Sequence, residues 1–150
     1  MPTIILKDFI MNDTLHYMML ITQSRISRQI LQEAAKLGLS PSQPKVLEYL
    51  THNEGCTQMD ICRALVLDKS TITGILARME EVGLIEIKRD KTDKRKTVIM
   101  LSEAGRKASD DMEKIFSDVD SRLWGDIPEE NRTDFIETLK KIYENIAKAD

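Results

Sequence analysis

The stretch "TQMDICRALVLDKSTITGILARMEEVGLIEIKRDKTDKRKTVIML", Thr57–Leu101, changes its apolar period partway along. Thr57 opens a short helix, with Asp60 three residues on and Ile61, Cys62 and Leu65 facing inward. After a tight link, Asp68 caps a second helix. Its Ile72, Ile75, Leu76 and Met79 fall at i, i+3, i+4 and i+7, and Gly83 ends it. The period then drops from 3.6 to 2. "LIEIKR" and "TVIML" alternate as two strands, and "KRDKTDKRKT", Lys88–Thr97, joins them without an apolar residue.

A short helix, a tight turn, a second helix with a polar outer face and then a hairpin make a winged helix-turn-helix. Such a unit places its second helix in the DNA major groove. Residues 40–101 are assigned to it. "SPSQ", Ser40–Gln43, has capping-box spacing with Pro41 at the first helical position. Pro44 disfavours helix at Gln43 and pushes the start to Ser42 or later. Val46, Leu47 and Leu50 form the inner face of that helix, and "NEG", Asn53–Gly55, ends it.

Outside this unit the chain reads as helix only. Asn12 or Asp13 caps a first helix that Gly38 ends, with an apolar stripe of Leu15, Met19, Ile26, Ile30, Ala34 and Leu37. From Thr14 to Leu37 it would span roughly 36 Å at ~1.5 Å per residue, more than a compact domain needs. Part of it therefore packs elsewhere, and the Met-rich "HYMML" is read as subunit-interface core. Ser102 caps a long helix running to about Leu123, and "WGDIP" breaks it. A last helix carries Phe135, Ile136, Leu139, Ile142, Tyr143 and Ile146. The fold class is mainly α with a small β-hairpin. Residues 1–39 and 102–150 are assigned to a helical dimerisation region.

Composition narrows the function. The 150 residues are 41% hydrophobic and 31% charged, as in a soluble globular protein. No apolar run approaches the ~20 residues of a membrane span, and the start lacks a secretory pattern. Two cysteines, Cys56 and Cys62, form no disulfide framework, and a reducing cytoplasm is the simplest location. Cys62 reads as core and Cys56 as a loop residue; His16 and His52 stand alone, so no metal or cofactor site is expected. No nucleophile elbow or phosphate loop points to an enzyme.

The candidate DNA face combines three segments. About 100° per residue turns Ser70, Thr73, Gly74 and Ala77 outward on the second helix, with Thr71 and Arg78 flanking and Lys69 in the first turn. No acid interrupts that face before Glu80. Small side chains allow close approach to the groove, and hydroxyls can bond bases or phosphates. Gly74 costs about 1 kcal/mol relative to Ala inside a helix, and close approach to a ligand is a reason to keep it. Thr57 and Gln58, opening the preceding helix, complete the helical part of the face. Lys88, Arg89, Lys91, Lys94, Arg95 and Lys96 crowd the hairpin tip. The net charge is -3, yet residues 57–107 hold eleven basic and eight acidic residues. A local patch of that kind suffices for phosphate contact. The alternative is a winged helix that only binds protein. The basic wing and the acid-free helix face weigh against it.

From Ser40 to Lys107 the sequence resembles the MarR family of bacterial transcription regulators. The resemblance rests on "TQMDICRAL", "LDKSTITGILARMEEVGLI" and "DKRKTVIMLSEAG", with Asp93, Arg95, Leu101, Ser102 and Gly105 at the family's spacing. The flanking helices match its plan. The resemblance implies an obligate homodimer, built from the first and last two helices, on a pseudo-palindromic double-stranded operator. It implies recognition helices in successive major grooves and Arg95 in the adjacent minor groove, oriented by Asp93. It implies, too, a repressor released by an effector, often a small aromatic compound or cysteine oxidation. Gly74 stands where many relatives carry a larger, often basic residue, which implies leaner base contact. Pro44 stands where the family is often aromatic.

Overall fold

A computed structural model describes residues 13–149, so the cap role considered for Asn12 lies outside the described residues. The elements run α1 (Leu15–Lys36), α2 (Gln43–His52), α3 (Gln58–Leu65), α4 (Lys69–Glu81), β1 (Ile85–Arg89), β2 (Thr97–Leu101), α5 (Glu103–Trp124) and α6 (Glu129–Ala147). They fall into two compact units, one reaching to Phe116 and the other starting at Ser117.

The core of the first unit is the apolar set that the sequence periods select. Val46, Leu47 and Leu50 of α2, Ile61 of α3 and Ile72, Leu76 and Met79 of α4 are buried essentially completely. Leu84, Ile85, Ile99 and Leu101 extend this core under the hairpin, and Ala34 of α1 and Met112 of α5 join it. Burying such side chains contributes about 1.5–3 kcal/mol each.

Local capping sets the angles of the helix-turn-helix. Thr57 and Asp60 form a reciprocal capping box at α3, and Asp68 accepts from the Thr71 amide at α4. The turn between them holds Val66 at φ +52°, in the left-handed region, with its side chain 75% exposed. A β-branched residue there is strained by about 1–2 kcal/mol and has little packing to lose. Val66→Gly is expected to raise stability by ~0.5–1 kcal/mol, after allowing for glycine's greater freedom in the unfolded chain. A urea midpoint at or below that of the parent would refute that account of the turn.

Three expectations need correction. Thr14, not Asp13, is the N-cap residue of α1; the helix ends at Lys36 with Leu37 as C-cap, and Gly38 follows at φ +76°, as its sequence position predicts. α2 starts at Gln43 with Ser42 as its N-cap, within the Ser42-or-later start expected from Pro44, and only the reading of Pro41 as the first helical residue is corrected. Ser40–Gln43 forms a separate turn instead: the Gln43 amide donates to the Ser40 carbonyl at 3.0 Å, and the Gln43 side chain accepts from the Ser40 amide at 2.9 Å. Pro44 sits in the first helical turn, where its missing N–H has no intrahelical partner to lose. Finally, the segment before α3 is not a free loop. The Gly55 amide donates to the Ile99 carbonyl and the Ile99 amide to the Cys56 carbonyl, both at 2.9 Å. Cys56 thus pairs with the second edge of β2.

The hairpin is antiparallel with Ile87 opposite Ile99. Its base is closed by Ser102, whose amide donates to the Leu84 carbonyl at 3.0 Å and whose hydroxyl accepts from the Gly105 amide at 3.0 Å. Gly105 permits this approach: a Cβ there would lie 1.9 Å from the Leu84 carbonyl oxygen.

In the second unit, Trp124 meets Phe135 edge to face at a centroid distance of 6.0 Å. The Arg132 guanidinium lies 5.8 Å from the Trp124 ring centroid and donates to the carbonyls of Gly125 and Ile127, which cross-links the α5–α6 turn. Phe135, Ile136, Tyr143 and Ile146 of α6 remain exposed, as do Leu15, Met19 and Leu20 of α1. The α1 stripe is therefore buried only toward its end, at Ala34.

Candidate nucleic-acid interface

The outer face of α4 forms as its period predicts. Lys69, Ser70, Thr71, Thr73, Ala77 and Arg78 are exposed, and Gly74 is half-buried. Its hydroxyls, however, are not free donors. Ser70 Oγ donates to Asp68 Oδ1 at 2.7 Å, Thr71 Oγ1 to Asp68 Oδ2 at 2.8 Å and Thr73 Oγ1 to the Lys69 carbonyl at 2.7 Å. So bonded, the Ser70 and Thr71 hydroxyls keep acceptor lone pairs, suited to base amino groups rather than phosphates, while Thr73 Oγ1 also accepts from Gln58. Hydrogen bonds from the Ser70 hydroxyl and from the Thr71 amide and hydroxyl hold the Asp68 carboxyl well below its usual range, at about 2.

Gln58 ties α3 to this face. Its Nε2 donates to Thr73 Oγ1 at 2.6 Å. Gly74 packs nothing essential: a Cβ there would meet only Arg78 Nη1, at 3.5 Å. Thr57 is engaged in its cap, where Asp60 accepts from its amide and hydroxyl, both at 2.8 Å. Those bonds lower the Asp60 pKa.

The hairpin tip is built around Asp90, which sequence reasoning missed as a site residue. Asp90 Oδ1 accepts from the Thr92 amide and hydroxyl at 2.7 and 2.8 Å and from the Asp93 amide at 3.3 Å. Asp-x-Thr is the signature of such a turn, so the signal was present in "DKT". Asp93 Oδ1 then accepts from the Arg95 amide at 3.1 Å and from Arg95 Nε at 3.3 Å. The arginine side chain remains 92% exposed. The basic residues at the tip are not equivalent. Lys88 pairs with Glu86 at 2.8 Å, and Arg89 Nη1 donates to the Lys94 carbonyl at 2.8 Å. Lys91, Lys94 and Lys96 carry no ion pair among the described residues.

Glu54 is a second residue missed from sequence. It accepts from the Leu101 amide at 2.8 Å and from Arg106 Nη1 at 2.9 Å, joining the end of α2 to β2 and α5. Separations of 47 and 52 residues leave no local signal.

Neither cysteine is set up for oxidation. Burial, with the Asp60 charge, pushes the Cys56 thiol up to about 11, and Cys62 is buried. At pH 8 about one Cys56 in a thousand is then thiolate, the reactive form. Alkylation of Cys56 is expected to rise about tenfold per pH unit from pH 8 to near 11. A plateau below pH 9 would overturn that assignment. Among the described residues no group of three or more His, Cys, Asp or Glu could hold a metal ion.

A MarR family model matches residues 37–96 of the chain. The transcriptional regulator HosA of Escherichia coli O157:H7 is 29% identical over 104 residues, covering 69% of this chain and 77% of HosA. Residues 37–96 thus carry the similarity to the MarR family. Among solved structures, the transcriptional repressor CouR bound to a 23-mer DNA duplex superposes with a TM-score of 0.77 at 26% identity, over 87% of this chain and 93% of CouR. CouR from Rhodococcus jostii RHA1 bound to p-coumaroyl-CoA superposes with a TM-score of 0.78 at 24% identity, over 87% and 92%. The mainly helical fold with one antiparallel hairpin is thus that of winged-helix MarR proteins, and the chain is similar to MarR-family transcription regulators. Among the described residues no helix is long and apolar enough to cross a membrane.

Proposed function

We propose that the chain acts as a homodimeric, sequence-specific DNA-binding repressor in the cytoplasm, released from its operator by a small-molecule effector. The observation that carries the proposal is the pairing of two surfaces in one unit: an α4 outer face without acids before Glu80, and a wing that presents Arg95 on an Asp93 support. α4 enters the major groove through Lys69, Ser70, Thr71, Thr73, Gly74 and Arg78. Arg95 enters the adjacent minor groove, where a narrow A·T-rich groove attracts an arginine. Thr57 and Gln58 hold the helical face in register, and no catalytic residue is assigned.

Residues 1–39 and 102–150 form the dimerisation region, and 40–101 the DNA-binding domain. Support for dimerisation comes from exposed apolar side chains on helices at both ends, among them Leu20 at 62% and Ile146 at 66% exposure. A second copy covers such surface most simply. A small aromatic effector is supported by CouR, solved both on DNA and with p-coumaroyl-CoA.

Sedimentation is expected to show a dimer, and monomer alone in concentrated solution would contradict the assignment. Affinity for a duplex selected from random-sequence DNA should fall steeply with salt, because each neutralised phosphate releases counterions. A flat salt response would favour a protein-binding winged helix instead.

A further inference from the structure

Thr57, Gln58, Met59, Cys62, Lys69, Lys96 and Thr97 line an open cleft of about 250 Å³. It brings together the start of α3, the start of α4 and the tip end of the wing, where β2 begins. Two lysines from different elements enter its lining, and no carboxylate does. We infer that this cleft is a seat for one backbone phosphate of the DNA duplex, gripped jointly by Lys69 and Lys96. The inference rests on the DNA-binding function proposed above and assigns one contact within it.

The surroundings of the cleft support the assignment. Lys69 is the first residue of α4, and a cation there opposes the helix dipole. An anion in the cleft reverses that penalty. Lys96 is held in place by its backbone: its amide donates to the Asp93 carbonyl and its carbonyl accepts from the Asp90 amide, both at 2.9 Å. Its ammonium has no ion-pair partner among the described residues, whereas Lys88 is paired with Glu86 and Arg89 reaches across the wing to the Lys94 carbonyl. Backbone and side-chain hydrogen bonds, with a smaller pull from Lys96, lower the pKa values of Asp60 and Asp90, so both stay charged with their oxygens already accepting hydrogen bonds. Asp60 accepts from the Thr57 amide and hydroxyl, and Asp68 from Ser70 and Thr71. Gln58 and Met59, the first two residues of α3, line the cleft as well.

The test measures the salt dependence of binding to a duplex selected from random-sequence DNA, with wild type, Lys69→Ala, Lys96→Ala, the double variant and Lys45→Ala, an exposed lysine of α2 outside the proposed DNA face. Losing one phosphate contact in each protomer of a dimer should reduce the slope of log K against log salt by about 1.8 in the double variant. The two single changes should not add, because both lysines grip one phosphate. Lys45→Ala should keep the wild-type slope. A double variant with the wild-type slope, or Lys45→Ala with an equal loss, overturns the assignment while leaving DNA binding intact. A wild type that binds no duplex defeats the proposed function itself. Inorganic phosphate added at constant ionic strength should leave wild-type binding unchanged. Inhibition that disappears in the double variant would reassign the cleft to free phosphate and overturn the backbone contact.

Discussion

Gly105→Ala is expected to destabilise the protein by about 3 kcal/mol, near the upper end for overpacking a closed site. The added Cβ would lie 1.9 Å from the Leu84 carbonyl oxygen, 3.0 Å from its carbon and 3.3 Å from Leu101 Cδ2. The neighbours have little freedom to move. The Leu84 carbonyl accepts from the Ser102 amide, and the Leu84 amide donates to the Met79 carbonyl at 2.9 Å. A shift would therefore disturb the α4–β1 turn, the hairpin base and the start of α5 together. In thermal unfolding the loss should appear as a fall of about 10 °C in Tm. Gly74→Ala is the control, since its Cβ meets only a flexible guanidinium at 3.5 Å. It should stabilise the helix by up to ~1 kcal/mol. Equal Tm values for the Gly105 variant and wild type would refute the close-approach account.

Arg95→Ala is expected to weaken operator binding roughly tenfold or more, about 1.4 kcal/mol. The side chain is almost fully exposed, so its removal leaves the fold unchanged. What is lost is a guanidinium held by Asp93 Oδ1 at 3.3 Å on a tip that Asp90 organises. Arg95→Lys should recover only part of the affinity, because a lysine cannot keep the planar, oriented fork. Asp93→Ala should lose less than Arg95→Ala, since the cation remains and only its orientation is relaxed. Gel shifts at one fixed salt concentration measure all three. Unchanged affinity for the alanine variant would remove the minor-groove role from the wing.

Much of this architecture is written locally in the chain. The Ile72–Met79 spacing defines the buried face of α4, Thr57 with Asp60 and Asp68 with Thr71 define the two helix starts, and the shift to period 2 defines the hairpin. Capping and periodicity act over three to seven residues, so each leaves a readable pattern. Charge at the wing tip is legible in the same way, as is the Asp90 turn once its Asp-x-Thr pattern is noticed. Tertiary structure alone decides the contacts between residues far apart. It brings Cys56 to the free edge of β2, joins Glu54 to Leu101 and Arg106, and presses Gly105 against Leu84. It also separates lysines that look alike in sequence: Lys88 pairs locally with Glu86, while packing of distant elements places Lys96 and Lys69 in the lining of one cleft. A side chain's charge is a property of its residue type, but its available partners depend on which distant elements the core packs beside it.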